Sequence, residues 1–194
     1  MRLFVALVPP PVAVEDLEEF LTPRREAGAE LRWTTTEQWH LTLAFMAEVS
    51  PRHLDDLVDR LGRAAARRDP FEVRLAGGGA FPNPGRAKVL YAGVRADDPE
   101  ELRRLAVGTR AAASKAGAGA QGGRFRAHLT LARSGRSFEA TRWLRILEEY
   151  VGPAWAADRV TLIESHLGEG PRRRPRYEVL ETFTLGKAGL SSAP

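Results

Sequence analysis

Two stretches of the chain are identical. Residues 40–44 and residues 128–132 both read His-Leu-Thr-Leu-Ala, 88 positions apart in 194 residues that contain four histidines. A chance identical pentapeptide in a chain of this length has a probability of roughly a few per cent, so the duplication is a signal. Leucine alternating with polar residues is the period of a half-buried strand. Leu41 and Leu43 then face a core, while His40 and Thr42 face the other way; Leu129 and Leu131, with His128 and Thr130, repeat the arrangement. If two similar lobes bring these faces together, the cleft between them holds two imidazoles and two hydroxyls.

Two imidazoles near a pKa of about 6.5 suit a reaction in which one takes a proton while the other gives one. In-line displacement at phosphorus needs both, because the attacking and leaving oxygens lie on opposite sides of the phosphorus atom. The Thr42 and Thr130 hydroxyls can hold the non-bridging oxygens as charge redistributes. Arg133, one step past the second repeat, is the nearest cation and can bind a phosphate bidentately. With Arg124, Arg126, Arg136, Arg142 and Arg145 it forms a run of six arginines against one acid, Glu139, a candidate track for a phosphate backbone. Other chemistries fit less well. A metal site needs a further ligand from elsewhere, such as His53 or His166, and acyl transfer gives no reason to double a His-Thr pair.

The elements that must position these residues can be read from periodicity. Residues 2–8 are an apolar, β-rich run stopped by three prolines, a central strand. Val14, Leu17, Phe20 and Leu21 mark an amphipathic helix running to about Gly28. A short strand at 31–33 precedes the first repeat strand, and Ser50 with Pro51 are start signals for a helix over 52–68. A strand at 71–76 is expected to end at Gly77, Gly78 and Gly79, which lack the Lys-Ser/Thr pair of a phosphate-binding loop. A strand at 88–94, a helix to about Gly117 and a flexible loop at 117–123 lead into the second repeat strand. A turn at 134–137, a helix at 139–150, a strand at 160–167, a basic loop at 168–175 and a last strand at 177–185 complete the order. This is an α+β protein with internal pseudo-symmetry, one domain of two lobes over 1–187 with a flexible tail at 188–194.

Composition sets the outer bounds. With 43% hydrophobic and 28% charged residues the chain can bury a good core. It has no cysteine, which removes disulfides, thiolate metal sites and cysteine nucleophiles. No apolar run approaches the roughly 18 residues of a membrane span, and residues 1–10 lack the regions of a signal peptide, so a cytoplasmic protein without membrane contact is expected. A net charge of +4 and a pI near 9.9 favour a polyanionic partner.

The paired motifs resemble the two His-x-Thr-x signatures of the 2H phosphoesterase superfamily. They are most similar to its bacterial and archaeal RNA 2′,3′-cyclic phosphodiesterases, also named 2′-5′ RNA ligases. The likeness extends to RLFVAL with its double proline, LRW before the first motif, FPNPGRAKVLYAGV in the middle, HLTLAR at the second motif and LIESHL with a later tyrosine. Ala127 stands where the family commonly has proline, and Met46-Ala47 where it has Leu-Gly. The resemblance implies a bilobal fold of two antiparallel sheets flanked by helices, the cleft between them, and no metal or other cofactor. It implies His40 as proton donor, His128 as proton acceptor, and a substrate of RNA with 2′,3′-cyclic phosphate ends, tRNA fragments among them, opened to a 2′-phosphate by a monomer. Ligation through a 2′-5′ linkage uses the same chemistry, with a 5′-hydroxyl replacing water. The rival readings are a cyclic phosphodiesterase of small nucleotides and an RNA-binding module without turnover.

Overall fold

The computed structural model describes residues 1–187; the expected tail at 188–194 lies outside the described residues. In chain order the elements are β1 (Leu3–Leu7), α1 (Pro11–Leu21), β2 (Arg32–Trp33), β3 (Leu41–Met46), α2 (Leu54–Ala66), β4 (Phe71–Phe81), β5 (Ala87–Ala96), α3 (Pro99–Lys115), β6 (His128–Phe138), α4 (Thr141–Glu148), β7 (Trp155–Ala157), β8 (Arg159–His166) and β9 (Arg176–Thr184). Among the described residues no helix is long and apolar enough to cross a membrane.

The strands lie in the order β7-β4-β5-β6-β3-β1-β8-β9, every pairing antiparallel, with β2 added beside β6. The two expected sheets are the two halves of this order, and they are continuous through one residue pair, Leu41 with Leu129. Chain halves and sheet halves do not coincide. All five residues of β1 are buried, and such a strand needs partners on both edges; β3 takes one and β8, near the end of the chain, returns to take the other. Helices α2 and α3 pack together, α3 against β3 and α2 against β9, while α4 covers β4. Helix α1 reaches the end of α4, where the Tyr150 hydroxyl donates to Asp16 Oδ1 at 2.7 Å. The repeat leucines Leu41, Leu43, Leu129 and Leu131 are all in the main core.

Several boundaries differ from expectation for identifiable reasons. The glycines at 77–79 do not end β4; they let it continue through a bulge against β5, with Gly77 at φ +65°. A side chain at Gly79 would overlap the Tyr91 phenol ring, so the residue is small because a neighbour occupies its space. The expected turn at 134–137 is strand, because β6 runs on to Phe138, which pairs with Ala87. Its exposed Gly135, Arg136 and Ser137 look turn-like only because they lie beyond the core. Ser50 makes no capping hydrogen bond; a 3-10 turn at Pro51–His53 precedes α2 instead. The helix expected to reach Gly28 tightens into a 3-10 segment at Thr22–Gly28. The glycine-rich loop before β6 is anchored: Ala118 is buried, and Gln121 N–H donates to Phe45 O at 2.9 Å.

Candidate active site

The two repeats meet at the seam of the sheet. Antiparallel pairing of Leu41 with Leu129 relates them by an approximate twofold axis, so the histidine of each motif lies towards the threonine of the other. The two motifs are neighbours across this pair, and the cleft they line lies at the junction of the two sheet halves. It has a volume of about 850 Å³ and is lined by His40, Thr42, His128, Thr130 and Arg133 among others.

Both motifs carry a bulge at the same place. Against β1, Val5 pairs with Ala44 and Ala6 with Thr42, leaving Leu43 as the extra residue. Against β5, Leu90 pairs with Ala132 and Tyr91 with Thr130, leaving Leu131. A bulge resets the alternation of a strand. Leu43 with Ala44, and Leu131 with Ala132, are therefore both buried in succession, and the next residue, Phe45 or Arg133, returns to the histidine face. Strict alternation would have sent Arg133 to the core with Leu129 and Leu131; the bulge turns it into the cleft. The first-motif counterpart, Phe45, also carries a guanidinium, that of Arg2, 4.4 Å above its ring.

The histidines are held alike. His40 Nδ1 lies 2.7 Å from Gln38 O and His128 Nδ1 2.8 Å from Arg126 O, in each case the carbonyl two residues earlier. A carbonyl only accepts, so both rings carry their proton on Nδ1 when neutral and keep Nε2 free. Aromatic rings fix their planes. His40 stacks on Phe4 at 4.5 Å and meets the edge of Tyr177 at 5.5 Å; His128 meets Phe81 at 5.0 Å and Tyr91 at 5.5 Å. Thr34 ties the motifs together, its hydroxyl lying 2.9 Å from both Thr130 O and Leu131 O while accepting from the Trp39 indole.

Burial controls the electrostatics. It pushes the His40 pKa down to about 4, against the opposing hydrogen bond to Gln38 O, with His128 and Arg133 adding to the fall. His128 is lowered for the same first reason, with the Arg126 carbonyl opposing and Arg133 assisting. Burial raises the Tyr177 phenol, and Arg133 and Arg2 work against that rise. The cleft wall carries six arginines, Arg2, Arg32, Arg133, Arg172, Arg173 and Arg174, and no carboxylate among the described residues. An anion is the ligand such a wall fits.

A profile of the family described as LigT like phosphoesterase matches residues 8–91, which include the first motif. The RNA 2′,3′-cyclic phosphodiesterase of Thermus thermophilus is 34% identical over 207 aligned positions, covering 100% of this chain and 95% of that protein. The protein of the same name from Archaeoglobus fulgidus is 35% identical, covering 69% and 72%. The chain belongs to the LigT-like phosphoesterases. Among solved structures, TT0787 of Thermus thermophilus superposes with a TM-score of 0.73 at 30% identity, covering 96% of this chain and all of that one. Apo E. coli LigT gives 0.76 at 26%, covering 95% and 97%.

In this LigT-like phosphoesterase the five sequence-predicted site residues share one cleft, but most of the expected arginine track does not join them. Of its six members only Arg133 lines the cleft; the rest lie along a loop, the far end of β6 and α4. The other cleft arginines come from β1's approach, β2 and the β8–β9 loop, segments that only the fold brings together. The aromatic partners of the histidines are also products of strand pairing, although Tyr91 and Tyr177 were visible within resembling segments. His53 and His166 are not in the cleft. His53 accepts from Arg52 Nε at 3.2 Å, and His166 sits beside Glu178, its Nε2 3.1 Å from Oε2.

Proposed function

We propose that the chain is a single two-lobed domain that hydrolyses the 2′,3′-cyclic phosphate ends of RNA. The observation that carries this reading is the matched pair of imidazoles, each with Nδ1 committed to a backbone carbonyl, in an arginine-lined cleft that among the described residues has no carboxylate and no hydrogen-bond partner for either Nε2. The names of the Thermus and Archaeoglobus relatives support the substrate, and a solved structure of E. coli LigT complexed with 3′-AMP, 27% identical with a TM-score of 0.75, supports a nucleotide in the cleft.

In this mechanism water approaches phosphorus from the His128 side. His128 Nε2 takes its proton as the new P–O bond forms, the bond from phosphorus to O3′ breaks, and His40, protonated on Nε2, gives its proton to O3′. The products are a 2′-phosphate and a free 3′-hydroxyl. Thr42 and Thr130 donate to the non-bridging oxygens, and Arg133 balances their charge. Without a protonated acid, O3′ would have to leave as an alkoxide; without a base, water would be a poor nucleophile. Ligation is the same step with a 5′-hydroxyl in the place of water: His128 takes the proton of that hydroxyl, its oxygen bonds to phosphorus, and O3′ leaves with the proton from His40. No metal takes part, and the reading extends to a monomer acting in the cytoplasm on RNA such as tRNA fragments.

The test is digestion of an oligoribonucleotide ending in a 2′,3′-cyclic phosphate, with the new end identified by chromatography against both standards. A 2′-phosphate is expected, and replacing His40 or His128 by alanine should each cost roughly 10²- to 10⁴-fold. A 3′-phosphate product would overturn the direction of opening, and full activity in His40→Ala would overturn the assignment of the acid.

A further inference from the structure

We propose that the loop between β8 and β9 binds the nucleotide immediately upstream of the cyclic phosphate, with Arg172 and Arg173 holding its phosphodiester, so that the cleft prefers RNA chains to mononucleotides. The proposal rests on the hydrolytic reading above and adds to it the residues that select chain over monomer.

Four observations converge on this loop. First, Arg172 and Arg173 line the cleft and occupy left-handed backbone, φ 54° and 58°, at two successive non-glycine positions. Left-handed backbone disfavours a side chain with a Cβ, and strain of this kind is commonly retained where a site needs it. Secondly, the nearby acids are already engaged. Arg176 holds Glu169 at 2.9 Å and Glu178 at 3.2 Å, and His166 shares Glu178. Arg172 and Arg173 form no ion pair among the described residues, so their charge is open to a ligand.

Thirdly, the loop is fastened rather than loose. Gly170 N–H donates to Arg174 O at 2.8 Å, and Gln38 Nε2 donates to Pro175 O at 3.3 Å. Gln38 is the residue whose carbonyl orients His40, so loop and proton donor share a support. Fourthly, the stereochemistry of the substrate points the same way. With O3′ leaving beside His40, C3′ lies on that side of the cleft, and C3′ is bonded to C4′, which carries the 5′ arm. The upstream strand therefore leaves past the His40 wall. Tyr177, 5.5 Å from His40, stands at the start of β9 immediately after this loop.

The experiment compares kcat/KM for 2′,3′-cyclic AMP and for a tetraribonucleotide ending in a 2′,3′-cyclic phosphate. The proteins are wild type, the Arg172→Asn/Arg173→Asn double variant and the Arg172→Lys/Arg173→Lys double variant. Asparagine tolerates left-handed backbone, so the first pair removes charge while keeping the loop's conformation. Wild type should favour the tetranucleotide on the order of tenfold, as two exposed charge contacts allow. The asparagine pair should lose that preference through KM, and the lysine pair should keep most of it. A preference that survives in the asparagine pair, or an equal loss on both substrates, would overturn the proposal. If wild type turns over neither substrate, the hydrolytic reading fails by itself, and the loop is judged by anisotropy with a labelled tetraribonucleotide ending in a 2′-phosphate. The salt slope of its affinity should then be shallower by about 0.7 in the asparagine pair, the value of one single-strand phosphate contact; an unchanged slope overturns the proposal.

Discussion

His40 should titrate far below an ordinary histidine in the free protein and recover when an anion enters the cleft. Burial between Phe4 and Tyr177, with Arg133 nearby, holds its pKa at about 4, so at neutral pH the ring is almost wholly neutral and cannot act as an acid. A bound phosphodiester changes that. One negative charge at about 4 Å contributes on the order of 4 kcal/mol at an effective dielectric constant near 20, which at about 1.4 kcal/mol per unit is close to three pKa units. The substrate itself would thus bring the His40 pKa to about 7 and load the proton it later receives. The assay is an NMR titration of the histidine Cε1–H resonances with and without sulfate, whose charge is constant across the range, with His40→Ala identifying the signal. The bound complex should also show the alkaline limb of its kcat profile at higher pH than that of kcat/KM, with limbs belonging to a coupled pair. A free-protein pKa near 6.5, or one that sulfate leaves unmoved, would refute the reasoning.

Because the folded pKa values of both His40 and His128 lie below the unfolded value, the unfolded chain binds protons first on acidification. Stability from these residues is complete above about pH 6.5 and should decline as pH falls towards 4, read as a falling Tm that sulfate restores. Thr42→Val or Thr130→Val keeps the branched strand side chain but removes one phosphate donor, and each should lower the cyclic-phosphate hydrolysis rate on the order of 10- to 1000-fold; wild-type rates in the double variant would show that the hydroxyls serve another purpose. EDTA should leave hydrolysis unchanged, since two imidazoles alone are a poor ligand set and no carboxylate lines the cleft among the described residues; activity lost and then restored by a divalent ion would contradict this. Gly79→Ala forces Tyr91 away from His128, and overpacking of this kind costs about 1–3 kcal/mol. A Tm lowered by roughly 2–12 °C is expected, together with reduced turnover.

The duplicated pentapeptide by itself determined which side chains share a strand face, because alternation is a local property of extended backbone. From that came the inward leucines, the outward histidines and threonines, and the likeness to a family. The apolar run at β1 likewise announced a central strand, since only burial on both faces suits five successive apolar residues. What alternation could not foresee was its own interruption. The bulges at Leu43 and Leu131 arise from pairing with β1 and β5, strands distant in the chain, and they alone carry Phe45 and Arg133 to the cleft. The glycines of β4 read as a stop because their lack of side chains is visible locally, whereas the Tyr91 ring that requires one of them is not. Most of the arginine run stays out of the cleft for a related reason: closeness in sequence along β6 and α4 is not closeness in space. The arginines that do line the cleft lie as far apart in sequence as Arg2 and Arg174, and the return of β8 and β9 to the edge of β1 gathers the last of them beside the first motif. Non-local strand pairing decides that gathering, and no periodicity within a single segment records it.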